Sequence, residues 1–392
     1  MRTQLFALLI GSVMLSATAR GQRTLEYDHF VVSQVRIDLR ELGYPPVDVI
    51  PPGESAIREL TVAPDGLLYG VTDGKRCHLF VLSPIHGYVQ PLGYLKGVNR
   101  MSHALVVDGA GAVYMAASDT DGHLYRYTPD NDERKPIHID SPIEMTDLGS
   151  PAPGDGIHCL AIDRKRKIIY GLTSPNGAFF TYDLQVAKFS VHGTVATNKI
   201  PGEKFETEKC LGWAIAVDSE GNAFTSGENG ALFRFDAGEK RLEKLPIRVP
   251  GVPGREPYSR VDRWAVAAKG VLYGGTSDGY LFRLEPKSLT VENLGKPLSQ
   301  YRIRGLVVAP NGLIYGVGGD DDDMARLFSY DPKHGVYDIL GMVDVNRRPF
   351  YAWQAYIIDA MAIGNDGVIY LGQAERKSKL YLYYPRQDTE LP

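Results

Sequence analysis

The chain has 392 residues, with 43 Lys and Arg against 47 Asp and Glu, and its formal net charge of −4 is spread without long single-sign blocks. That balance argues against a nucleic-acid surface, which needs a basic patch or stripe. The three cysteines, Cys77, Cys159 and Cys210, cannot form a complete disulfide framework, so buried thiols with at most one bridge are expected.

In chain order, the first element is a targeting signal. Arg2 gives a positive start, Leu5 to Leu15 an apolar stretch, and Ala17-Thr18-Ala19 a small-x-small cleavage site. Residues 1–21 therefore read as an export signal, and 22–392 as a single secreted or periplasmic domain. No segment approaches the roughly eighteen apolar residues of a membrane helix, so no membrane span is expected. Phe30 to Leu39 then reads as a strand.

From Arg58 onward one pattern returns seven times. A short apolar strand is followed by a turn rich in Gly and Asp-Gly, a strand of the type Leu-Tyr-Gly, and a third strand of alternating aromatics. The strand pairs are REL-TVAPDGLLYGV, HAL-VVDGAGAVYMA, HCL-AIDRKRKIIYGL, WAI-AVDSEGNAFTS, WAV-AAKGVLYGG, RGL-VVAPNGLIYGV and DAM-AIGNDGVIYLG. They begin at Arg58, His103, His158, Trp213, Trp264, Arg304 and Asp359, so repeat starts fall 40 to 55 residues apart. Period-two alternation with hairpin punctuation specifies strands, and a period of this length suits propeller blades. The expected fold is all-β: a seven-bladed β-propeller with next to no helix. The seventh repeat ends at Pro385, too early for a fourth strand, so the Phe30–Leu39 segment is expected to close the ring as the outer strand of the last blade and remove its open edge.

The repeat register lets positions be compared within the chain. The opening residues of the innermost strands are the seven just named. The third strand runs in the same direction and opens with His78, His123, Ala178, Ala231, Tyr280, Arg326 and Lys379. One face of the ring is thus expected to gather four histidines, three arginines, two tryptophans, a tyrosine, a lysine and an aspartate. Arginine and histidine suit carboxylate recognition, and Trp and Tyr faces suit sugar rings. A solvated channel mouth would account for any one of these residues, but a merely structural ring favours small or repeated residue types, and here each blade differs.

Metal chemistry is less well supported. Adjacent strand residues point to opposite faces, so neither Cys77 with His78 nor His158 with Cys159 shares one ion. A zinc could be held between His78 and His123, and a calcium by the acidic run Asp320 to Asp323; no metal is assigned and no cofactor is required.

Ser102-His103-Ala-Leu with Gly122-His123-Leu-Tyr-Arg-Tyr puts two histidines 20 positions apart in one blade. With Tyr301-Arg-Ile-Arg304-Gly-Leu and the late segment from Tyr351 through Trp353, Tyr356 and Asp359 to Gly372, it resembles the seven-bladed propeller polysaccharide lyases that cut ulvan, and the related rhamnose–glucuronate lyases, over nearly the whole mature chain. The resemblance implies β-elimination on a uronate. A base removes the C5 proton, a positive or hydrogen-bonding group neutralises the carboxylate, and an acid protonates the leaving oxygen at C4. His103 and His123 would be the catalytic pair, their two roles unassigned. Arg58, His158, Trp213, Trp264, Tyr280, Arg304 and Arg326 would bind substrate. The chain departs from the family where a catalytic tyrosine is expected: the turn reads Leu172-Thr173-Ser174-Pro175, and Lys188 and His192 stand near the place of an expected arginine. Tyr170 repeats in most blades and reads as structural. Two functions therefore stand side by side: an acidic-glycan lyase (or hydrolase), and a propeller that binds an acidic polysaccharide or oligosaccharide without cleaving it. A protein scaffold is a third reading, disfavoured by the basic-aromatic mouth. A monomer is expected.

Overall fold

The computed structural model describes residues 39–41, 50–129, 139–196, 210–320, 323–347 and 351–385. The signal segment, most of the expected closing strand, and Asp321 and Asp322 lie outside them. Among the described residues the fold is all-β, with only three short 3-10 turns, Glu228–Gly230, Glu256–Tyr258 and Ala268–Gly270.

Each repeat forms an antiparallel meander. The innermost strands are Ala56–Val62, Met101–Val107, Gly156–Asp163, Ala216–Val217, Val261–Val266, Ile303–Val308 and Ile358–Ile363. In the first six repeats the remaining three strands follow outward in chain order. The second and third meanders join through a parallel bridge between His103 and Cys159. The seventh has three strands of its own, and Leu39–Glu41 pairs antiparallel with its outermost strand, Leu380–Tyr383, as the fourth. Each innermost strand lies against the next in chain order, and that of the seventh sheet also lies against that of the first.

The core is divided accordingly. Seven apolar clusters each join two neighbouring sheets; one packs Leu60, Leu68 and Phe80 of the first sheet on Ala360, Tyr370 and Leu380 of the seventh. The recurring Tyr-Gly of the second strand has a packing cause. Gly70, Gly171, Gly274 and Gly316 each sit opposite a phenylalanine of the third strand, Phe80, Phe180, Phe282 and Phe328. A Cβ on any of these glycines would lie 2.2 to 2.3 Å from the ring, so only glycine leaves the aromatic side chain room to lie across the strand.

Cys77, Cys159 and Cys210 are buried free thiols. Burial raises the Cys159 thiol to about 12, which leaves it inert as a nucleophile.

Candidate functional site

A register shift near the start of the innermost strand places the site. In five sheets one residue is left over where the ladder skips: Arg58 between Ile57 and Glu59, His158 between Ile157 and Cys159, Asp262 between Val261 and Arg263, Arg304 between Ile303 and Gly305, Asp359 between Ile358 and Ala360. In the second sheet the irregularity between Met101 and Leu105 spans His103. Such a bulge re-aims a side chain out of the pleat.

The side chains so aimed meet. Arg58 Nη1 donates to Asp359 Oδ2 at 2.7 Å and Arg304 Nη1 to Asp359 Oδ1 at 2.5 Å. Their other nitrogens reach outward, Arg58 Nη2 to Asp73 at 3.2 Å and Arg304 Nη2 to Asp320 at 2.6 Å. In the fifth sheet Asp262 accepts from Arg260 Nε at 2.9 Å and from Arg302 Nε at 2.7 Å. Arg263 reaches from the fifth sheet to His103 Nδ1 at 2.7 Å and to the Asp359 carbonyl, with Glu59 at 3.7 Å. Trp213 lies among these groups: His103 stacks on it at 4.9 Å, His158 meets its edge at 6.2 Å, and the guanidinium carbons of Arg302, Arg260 and Arg304 stand 3.9, 4.8 and 6.0 Å from its ring centre. Side chains from all seven repeats take part, Trp213 from just before the fourth sheet.

The electrostatics follow from burial and this pairing. Burial alone would raise Asp262, but Arg302 and Arg260 hold it down to about 2. Against the same burial, Arg304 and Arg58 hold Asp359 far below the ordinary carboxylate range. His158 is lowered to about 3 by burial, then by His103, Arg260 and Arg263. His103 is lowered by burial and Arg263 against the opposing pull of Glu59, so both axial imidazoles are neutral near neutral pH. A guanidinium can only donate. The neutral His103 ring thus has Nδ1 between this donor and two acceptors, the Arg58 carbonyl at 2.9 Å and Glu59 Oε2 at 3.4 Å.

Of the expected site residues, the structure brings together Arg58, His103, His158, Trp213 and Arg304. Trp264 is not among them. It lies in the apolar core between the fourth and fifth sheets, its ring 5.3 Å from Phe282, and Asp262 takes the place expected for it. The signal was present: each innermost residue stands ten positions before the apolar residue that precedes the second strand's aromatic, as Arg58 before Leu68 and Arg304 before Ile314. Counting back ten from Leu272 gives Asp262; only the third sheet, whose hairpin is one residue longer, departs. Arg260, Arg263, Arg302 and Glu59 were also missed, because they flank the bulge and no repeat position marks them.

His123 is set apart from His103. It opens the third strand of its sheet, two strands out from His103, and its Nδ1 lies 2.8 Å from both carboxylate oxygens of Asp147 on the outermost strand. It is 38% exposed, and Tyr125 stands 6.2 Å away on the same strand. His78 is fully buried, with Nε2 on Glu54 at 3.0 Å. The two histidines of the zinc expectation thus take separate carboxylates, and among the described residues no group of three or more His, Cys, Asp or Glu could hold a metal ion. Tyr280 is half-buried and its amide donates to Thr276 Oγ1. Arg326 is buried in the third strand of the sixth sheet, its backbone paired with Gly318 and Met342. Ser174 is buried beside Thr173, whose hydroxyl donates to Asp155 at 2.5 Å.

No family model matches the chain, and no curated protein matches it. Among solved structures it is similar to virginiamycin B lyase from Staphylococcus aureus, with TM-score 0.61 and 10% identity over 89% of this chain and 100% of that one. It is also similar to the extracellular domain of the putative hybrid two component system BT4673 from B. thetaiotaomicron, with TM-score 0.59 and 16% identity over 90% of this chain. It spans only 40% of that domain's length. A third is the periplasmic gluconolactonase PpgL of Pseudomonas aeruginosa, with TM-score 0.54 and 16% identity over 72% of this chain and 83% of that one. Identities this low carry the fold alone, and the fold is β-propeller-like. Among the described residues no helix is long and apolar enough to cross a membrane.

Proposed function

We propose that the chain is an exported, closed seven-bladed propeller that takes a uronate-bearing polysaccharide at the end of the ring where the innermost strands open, and cleaves it by β-elimination. The observation that supports this most is the meeting of side chains from neighbouring repeats around Trp213, an aromatic face ringed by guanidiniums and imidazoles. Guanidiniums match carboxylates, and an indole face matches a sugar ring.

Their surroundings divide the roles of the two histidines. His123, with Nδ1 on the Asp147 carboxylate, donates its Nδ1 proton there and leaves Nε2 basic, half-exposed and oriented, as a general base requires. His103 is 4% exposed, with Nδ1 enclosed by Arg263, the Arg58 carbonyl and Glu59, so it suits positioning the uronate carboxylate rather than taking the proton. Burial raises the Tyr125 hydroxyl, which keeps it protonated and makes it the nearest candidate for the acid that Ser174 does not supply.

A second reading, capture without turnover, is favoured by the burial of His103, 4% exposed, and by the two strands between it and His123. The test is the ultraviolet absorbance of an unsaturated uronate during incubation with a panel of uronate polysaccharides. The lyase reading predicts a rise in wild type that falls at least about 100-fold in His123→Ala. A flat trace with affinity retained would select capture instead.

A further inference from the structure

Beneath this mouth the axial cluster is not closed on itself. Four of its polar atoms, Trp213 Nε1, His158 Nε2, Arg263 Nε and Arg302 Nη2, are buried with no hydrogen-bond partner in the protein. Buried donors without partners are costly and uncommon. Their owners sit together: Arg302 and His158 stand 3.9 and 6.2 Å from the Trp213 ring centre, and His103, which bonds Arg263, stacks on it at 4.9 Å. His158 and Arg263 are 8% and 7% exposed.

Five guanidiniums, those of Arg58, Arg260, Arg263, Arg302 and Arg304, face three inner carboxylates, Asp262, Asp359 and Glu59. Asp73 and Asp320 take the outward arms of Arg58 and Arg304 at the rim. Both histidines are neutral and add nothing. With Asp73 and Asp320 counted, five guanidiniums meet five carboxylates, so the cluster is balanced in charge and what it lacks is acceptors for its buried donors.

We propose that the axis of the ring is a binding site for a small monoanion, a halide or the carboxylate of a sugar acid, held by Trp213 Nε1, His158 in its Nε2–H tautomer and the unpaired nitrogens of Arg302 and Arg263. Indole and guanidinium N–H groups are donors only, so the ligand must accept from all sides; this excludes a cation and disfavours a neutral hydroxyl compound. The site shares Trp213 and His158 with the proposed polysaccharide site and rests on that reading for its sugar-acid ligand, whereas halide binding would hold even if no polysaccharide were cleaved.

The experiment uses the full mature chain at constant ionic strength, with a bulky organic sulfonate as the balancing anion. Tryptophan fluorescence is titrated with bromide, and the unfolding midpoint is followed against chloride and against glucuronate. The site predicts saturable quenching, absent in Trp213→Phe, and a saturable rise of the midpoint on the order of 5 °C. Arg302→Met loses both. Glucuronate that displaces bromide identifies a sugar-acid carboxylate as a ligand, and glucuronate that leaves the quenching untouched identifies an inorganic halide as the occupant. Linear, collisional quenching, with a midpoint that follows ionic strength whatever the anion, would overturn the proposal without reliance on any variant.

Discussion

Asp359 shows how much of the site is decided by a single carboxylate. It is 2% exposed and is held by Arg58 and Arg304 from the two neighbouring sheets. Asp359→Asn keeps the shape but leaves two guanidiniums without their inner counter-charge. The expected cost is about 3–5 kcal/mol, read as a shift of the urea midpoint at unchanged slope; a loss under about 1 kcal/mol would mean that the arginines are satisfied by Asp73 and Asp320 alone. At this scale the sequence was readable in part. Arg58, His103, His158, Trp213, Arg304 and Asp359 were visible because a repeat exposes its own odd positions. Trp264 misled because it offers the bulky aromatic that a ring of recognition residues suggests, while the Asp262 two residues earlier is ordinary in composition. What distinguishes them is the bulge, which the residue types at the two positions do not show and only the count of ten back from Leu272 reveals.

The sheet-forming elements were far more legible, since alternation and hairpin turns depend on local chemistry alone. The structure adds the reason for the glycine that follows the aromatic in four of the seven second strands. Gly171 faces Phe180, whose Cζ would lie 2.3 Å from a new Cβ, with Leu160 at 3.0 Å. Gly171→Ala is therefore expected to destabilise by about 1–3 kcal/mol through overpacking, although alanine suits a strand better than glycine does. A neutral or stabilising result in chemical denaturation would show that the ring can move aside, and that glycine recurs for some other reason. The same elements explain why His103 and His123 looked like partners in sequence and are not in contact. Both open strands at one end of a sheet, but the intervening strand places their backbones roughly 10 Å apart, and Asp147 draws His123 outward.

At the scale of the molecule, small meanders with a core between each neighbouring pair create a place where seven strand ends converge. No single sheet could hold five arginines with their carboxylates around one indole, because each side chain needs a partner from another sheet. The repeat made the architecture readable, whereas the mutual neutralisation at its centre was hidden. It arises from contacts between residues as far apart as Arg58 and Asp359, 301 positions in the chain. The mouth is accordingly less basic than its residue list suggests, and the proposed recognition of an acidic glycan would have to come from the half-exposed groups at its rim and from the donors left unpaired below. The measurement that tests this most directly is the affinity of the mature protein for one uronate polysaccharide, compared with the same polymer after its carboxylates are reduced to alcohols. The proposed site predicts that reduction weakens binding at least about tenfold, as losing a charge-assisted pair should. Equal affinity for the two polymers, or none for either, would contradict an acidic-glycan site at the axis.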